Sequence, residues 1–242
     1  MSLPPGRWRA IVGLTMDIAF VLYDGFTGLD LVGPYEVIGA WPDARVRFVA
    51  TTERPVKADG GLVVLPTDTP GSLPNPDLVV IPGSSRPMGP LQDQALLDWV
   101  RHAARSATWL ASVCTGAGVY AAAGLLKGRR ATTHWAFRDV LASMGVDVSA
   151  ERVVVDAPFI SGAGVSAGID MALTLTARVH GDDLARRIQL MIEYDPQPPF
   201  DAGSPEKAGS DLVASTLAQF AAAAGGDAAE IFQAPTGPAA SR

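Results

Sequence analysis

The chain's single cysteine sits in Ser112-Val113-Cys114-Thr115-Gly116-Ala117-Gly118, between an apolar run and a stretch of small residues. A side chain at a tight strand-to-helix turn projects from the C-terminal edge of a sheet, where open α/β folds bind ligands. The pattern has the grammar of a nucleophile elbow with Cys in place of Ser. Backbone N–H groups at the start of the following helix favour negative charge. The sequence therefore predicts a thiol with a lowered pKa and a larger thiolate fraction. The Thr115 N–H is placed to stabilise charge that develops on a substrate. The competing reading is a buried structural cysteine, the commoner fate of a lone Cys. The glycines that follow favour the reactive reading.

A thiol of this kind needs an acid beside it. Asp30, in Gly28-Leu29-Asp30-Leu31-Val32-Gly33-Pro34, has apolar neighbours on both sides. A carboxyl held in such a pocket has a raised pKa and keeps a proton. An equally open reading makes Asp30 the N-cap of the segment that follows. His134, in Thr132-Thr133-His134-Trp135, is either a base or a satisfied histidine behind the site. Nothing local marks it as poised, which favours the latter. His102 and His180 lie on expected helices and read as surface residues. Gly83 and Ser84 can turn backbone N–H groups toward the same sheet edge; with Gly116 they are the candidate substrate- or oxyanion-binding positions. Gly162-Ala163-Gly164 and Gly168 permit close backbone approach near another strand end. There is no HxxxH, no CxxC and no tight His/carboxylate cluster, so no metal site is expected. Gly116-Ala117-Gly118 lacks the third glycine and distal acid of a dinucleotide fingerprint, and no phosphate loop appears either.

These side chains have to be carried by a sheet, and the sequence supplies one. Met16–Tyr23, Asp77–Pro82 and Thr108–Val113 are near-continuous apolar, β-prone runs, the mark of strands buried on both faces in a parallel sheet. Arg45–Thr51 reads as a further strand, Pro55–Pro66 as a short extended pair around Asp59-Gly60-Gly61, and Arg130–Thr133, Val153–Val155 and Phe159–Ser161 as short strands. Helical spacing covers Leu29–Ala40, Gln92–Arg105, Thr115–Leu126, Trp135–Met144, Val165–His180 and Asp183–Glu193. The alternation implies one α/β domain with a mostly parallel sheet. The expected organisation is an N-terminal extension (1–15), a catalytic domain (16–205), and a C-terminal helix to about Ala224 followed by a disordered Gly/Ala/Pro tail (206–242).

Bulk properties narrow the partners. The 242 residues are 48% hydrophobic and 18% charged, ample for a buried core, with a net charge of −6. There is no basic stripe, so nucleic acid is not expected. No apolar run has the ~18 residues a membrane span needs. Arg7 and Arg9 precede an apolar stretch, but Asp17 interrupts it and no small-residue cleavage site follows. The stretch reads as a leader and a buried strand, with Met16 a candidate start, in a cytoplasmic protein.

Several segments together resemble the DJ-1/PfpI family. They are Phe20–Phe26 with Leu29–Pro34, Val80-Ile81-Pro82-Gly83, Ser112–Gly116, Ala122–Trp135 and Gly164–Asp170. Within it, Glu193–Pro205 is most similar to the isocyanide (isonitrile) hydratases. The resemblance implies a flavodoxin-like sandwich, a homodimer, and a small-molecule substrate handled without a cofactor. It implies that Cys114 attacks the terminal carbon of an isocyanide to give a thioimidate. Asp30 would protonate the intermediate and activate water to release an N-formamide, and Thr115 would assist at sulfur through its hydroxyl or N–H. The chain departs from the family pattern at Ser84 and Ala163, where relatives carry glycine, and Ser85-Arg86-Pro87 brings a cation to the pocket mouth. Rival readings are a glyoxalase-, deglycase- or peptidase-like enzyme on the same scaffold, which usually carries glutamate rather than Asp30, and a ligand-sensing module of the kind fused to helix-turn-helix regulators.

Overall fold

The computed structural model describes residues 15–224. The expected extension, apart from Thr15, and the expected tail beyond Ala224 lie outside the described residues. In chain order the elements are β1 (Met16–Val21), α1 (Gly28–Ile38), β2 (Ala44–Val49), β3 (Val56–Lys57), β4 (Val63–Val64), β5 (Leu78–Ile81), α2 (Met88–Gln92), α3 (Gln94–Ala103) and β6 (Trp109–Val113). They continue with α4 (Ala117–Ala122), β7 (Arg130–Ala131), α5 (Arg138–Ser143), β8 (Asp147–Val148), β9 (Val153–Asp156), β10 (Phe159–Gly162), α6 (Ala167–His180), α7 (Asp182–Met191), α8 (Pro205–Ala208) and α9 (Ser210–Ala224).

The main sheet has six strands in the order β2-β1-β5-β6-β10-β9. All neighbours are parallel except β10 and β9. The parallel strands thus follow the flavodoxin-like order, in which the chain reverses direction across the sheet between β1 and β5. Both faces are covered. Ala19, Val21, Val79 and Ile81 pack with Leu97, Val100, Tyr120 and Phe137 on one side. Ile18, Phe20, Leu78 and Val80 pack with Leu31, Ile38, Met171 and Leu175 on the other. This two-sided burial is why the strands read as unbroken apolar runs. The expected α/β sandwich with a mostly parallel sheet is therefore the observed fold. Among the described residues no helix is long and apolar enough to cross a membrane.

Some expected elements differ in detail. The helix over 92–105 starts later, because the Asp93 side chain accepts from the Leu96 N–H and caps α3. The helix expected from Thr115 begins as a 3₁₀ turn, Cys114–Gly116, before the short α4. Likewise, Trp135–Phe137 is a 3₁₀ turn before α5. The two-residue strand β8, paired with β7, is too short to leave a periodic signal. His180 is not a surface residue: its side chain is 16% exposed, lies 3.4 Å from Asp43, and meets the Trp41 ring edge-on.

Candidate active site

Three loops converge at the C-terminal edge of the sheet, where the strand order reverses. The loop after β1 pairs with the loop after β5: Thr27 N–H donates to the Gly83 carbonyl at 2.8 Å, and Phe26 bridges Ser84. Cys114 follows β6, the next strand over. Its φ is 57°, the left-handed region that a non-glycine residue rarely adopts. That backbone bend turns the thiol away from the strand and toward α1. The Thr133 hydroxyl holds the bend by donating to the Cys114 carbonyl at 2.7 Å.

Two glycines let the loops meet. A Cβ on Gly83 would lie 2.5 Å from Thr115 N, 2.8 Å from Asp30 Oδ2 and 2.8 Å from Cys114 Cβ. A Cβ on Gly116 would lie 2.3 Å from the Ile81 carbonyl oxygen. Only glycine fits at either place without a shift of backbone.

Asp30 is in the first turn of α1 and fully buried. It does not cap that helix, whose N-cap is Thr27. Its Oδ2 accepts from the Gly83 N–H at 2.8 Å. Its Oδ1 is buried without a conventional hydrogen-bond partner. The Cys114 thiol is close enough to act on the carboxyl as a weak sulfur donor, short of conventional alignment. Burial pushes the Asp30 carboxyl up to about 7; the Gly83 N–H and the thiol pull against that rise, and Asp59 adds to it. The raised carboxyl expected from sequence is what the surroundings produce.

The thiol behaves differently from expectation. Cys114 is 5% exposed, and its pKa is pushed up, not down. Burial is the main cause, the Asp30 charge adds to it, and the Thr115 N–H opposes it. The helix N-terminus is the one influence on the thiol that the local sequence displays. Here one 3₁₀ turn and a six-residue helix supply that field, and desolvation beside a second acid outweighs it.

The neighbouring N–H groups also differ from expectation. The Gly83 and Ser84 donors do not face an open substrate position. Gly83 N–H holds Asp30, and Ser84 N–H donates to Thr115 Oγ1 at 2.8 Å. The Thr115 hydroxyl in turn donates to the Ser84 carbonyl at 3.1 Å. Of the two routes expected for Thr115, only its N–H reaches sulfur. Gly116 serves close approach to β5. Ser84 and Gly83 are positioning residues.

His134 stands behind the site. Its Nδ1 accepts from the Ala136 N–H at 3.3 Å, and its ring lies against Trp135 and Phe220. Burial and Arg138 lower its pKa to about 4, so it is neutral and a weak base at neutral pH. Its neighbour Thr133 makes the contact to Cys114. Among the described residues no group of three His, Cys, Asp or Glu is placed to hold a metal ion.

Two residues near the pair carry no sequence signal of their role. Half-buried Tyr23, directly after β1, donates its hydroxyl to the Pro82 carbonyl. Burial pushes its phenol up, and the charges of Asp30, Cys114 and Asp59 add to that. Asp59, in the expected turn, accepts from the Thr27 hydroxyl at 2.8 Å. A cleft of about 550 Å³ opens beside these loops, with Gly25, Asp59, Ser85 and Arg86 in its wall.

Comparison with known proteins agrees with this architecture. The DJ-1/PfpI family profile matches residues 16–178. An isonitrile hydratase of Pseudomonas putida is 44% identical over 201 residues, covering 83% of this chain and 88% of that protein. An HTH-type transcriptional regulator of Pseudomonas aeruginosa is 31% identical over 182 residues, covering 72% of this chain but 54% of the regulator. The crystal structure of a ThiJ/PfpI family protein from Pseudomonas syringae superposes with a TM-score of 0.82 at 35% identity, covering 92% of this chain and 96% of that one. With its flavodoxin-like strand order, its cysteine at the turn after β6 and a family match from β1 into α6, the chain belongs to the DJ-1/PfpI family.

Proposed function

We propose that the protein hydrates organic isocyanides to N-formamides, with Cys114 as nucleophile and Asp30 as proton carrier. The observation that carries this reading is the buried Asp30 carboxyl, raised to about 7, against the thiol. The 44% identity to an isonitrile hydratase supports it.

The chemistry starts with a proton shift. Ionising either buried group alone is opposed by desolvation. Moving a proton from the thiol to the Asp30 carboxylate leaves the net charge of the pair unchanged, so burial does not oppose it. The Thr115 N–H stabilises the resulting thiolate. Sulfur bonds to the terminal isocyanide carbon, and Asp30 delivers its proton to that carbon, giving a thioimidate. Water then adds to the same carbon with Asp30 taking its proton. Asp30 passes that proton to the nitrogen; the hydroxyl then becomes the carbonyl as the C–S bond breaks, its proton returns through Asp30 to sulfur, and formamide and thiol are released. One isocyanide and one water give one formamide, with no change of oxidation state in the protein.

The test is formamide formation from a panel of aryl and alkyl isocyanides, with methylglyoxal run in parallel for the deglycase-like alternative. Wild type is expected to form formamide and Cys114→Ala none. A wild type that converts methylglyoxal and no isocyanide rejects the hydratase assignment.

Two copies pair in solution, in the cytoplasm, where a lone thiol stays reduced. The family resemblance supports the dimer. So do exposed apolar side chains, Leu29 and Val32 of α1 and Leu62, Val63 and Leu65, with Leu62 beside Gly28 at the start of α1. Sedimentation is expected to give twice the chain mass of 25.2 kDa, and Val63→Asp to shift it toward the monomer.

A further inference from the structure

We infer that the cleft beside the thiol selects isocyanides that carry a carboxylate; this rests on the hydratase reading above. The cleft wall holds three cations, Arg54, Lys57 and Arg86, and two carboxylates, Asp24 and Asp59. Both carboxylates are engaged. Asp24 is closed by Arg54, and Asp59 accepts from the Thr27 hydroxyl. Among the described residues, neither the Lys57 nor the Arg86 side chain takes part in an ion pair, whereas Arg54 does. Three cations against two carboxylates leave the rim with one net positive charge, opposite in sign to the chain's net −6.

The rim is close to the reacting group. The carbonyl of Gly25, in the cleft wall, accepts from Ser84 Oγ at 2.7 Å, and the next residue back, Gly83, packs on Cys114 Cβ. The charge of Asp59, also in the cleft wall, acts on both Asp30 and Cys114. Cys114 is 5% exposed, so only the slender N≡C end of a substrate reaches its sulfur. The cleft, linked to the pair through Gly25 and Asp59, is where the remainder of the substrate is placed. A carboxylate there meets the Lys57 ammonium as a point charge and the Arg86 guanidinium as a forked donor. A cationic substituent meets repulsion instead.

Paired compounds test this with the full chain: 4-isocyanobenzoate and its methyl ester, which share one skeleton and differ in charge. For wild type, kcat/KM is expected to favour the acid by about fivefold or more, the scale of one or two partly exposed ion pairs. The preference is expected to shrink at high salt. It should shrink in part in Lys57→Gln and Arg86→Gln, and vanish in the double variant. An ester used as well as the acid overturns the inference and leaves the hydratase reading standing. So does a double variant that keeps the full preference. If neither compound is consumed, the hydratase reading falls and this inference falls with it.

Discussion

Asp30→Asn lowers kcat/KM for an aryl isocyanide by about 10²–10⁴-fold, the range that positioned general acid–base groups supply. The variant keeps an oxygen that can accept from Gly83 N–H, so the loop geometry is retained while the proton carrier is lost. The pH profile separates this from a packing defect. The reactive form of the pair holds one proton between sulfur and carboxyl, so wild-type kcat/KM rises as pH climbs through about 7, the raised Asp30 value. In Asp30→Asn that limb disappears, and residual activity rises only at higher pH, with the thiol's own ionisation. An Asn variant within tenfold of wild type, with the limb intact, would remove Asp30 from the mechanism.

The same substitution has a stability signature. The folded Asp30 value, about 7, lies above the ordinary 3.8. Stabilisation by the neutral buried carboxyl is therefore complete below pH 3.8 and is lost as pH rises through about 7. A rise of that size corresponds to roughly 4 kcal/mol. Asparagine does not ionise, so wild type loses stability relative to the variant across this window, as denaturant unfolding at several pH values will read.

Gly83→Ala destabilises the protein by about 1–3 kcal/mol, the usual cost of overpacking, and lowers kcat/KM by about 10²-fold, as a displacement near 1 Å does. The added methyl would stand 2.5 Å from a backbone nitrogen and 2.8 Å from two atoms of the reacting pair. None of these is the free end of a flexible chain, so α1 and the Cys114 turn have to separate. Gly89→Ala is the control, because a Cβ there meets nothing within 4 Å, and alanine in a helix gains about 0.5–1 kcal/mol. Wild-type melting and turnover in Gly83→Ala would show that the two loops need not touch.

The sheet was legible because its strands are buried on both faces: Leu78–Ile81 and Trp109–Val113 carry no polar interruption but Ser112. Asp30 was legible as an acid among apolar residues, but its two readings could be separated only by contacts 53 residues away, at Gly83. The direction of the thiol shift was not legible. A dipole at a helix start is a local property of sequence, whereas the burial and the second acid that outweigh it come from other segments. Tyr23 and Asp59 escaped for the same reason, since one reads as a strand end and the other as a turn. The commitment of Ser84 N–H to Thr115 is a tertiary hydrogen bond with no sequence period behind it.

The tight approach of Gly83 and Gly116 to their neighbours also bears on how such a protein can diversify. The floor of the site has no slack: Gly83 faces the Thr115 amide and Gly116 the Ile81 carbonyl, and a side chain at either position forces the backbone apart. The outer lip, at Ser85, Arg86 and Lys57, is exposed and free to change. New substrate preferences in descendants or in a directed-evolution library should therefore arise at the lip, while the chemistry beneath is inherited intact.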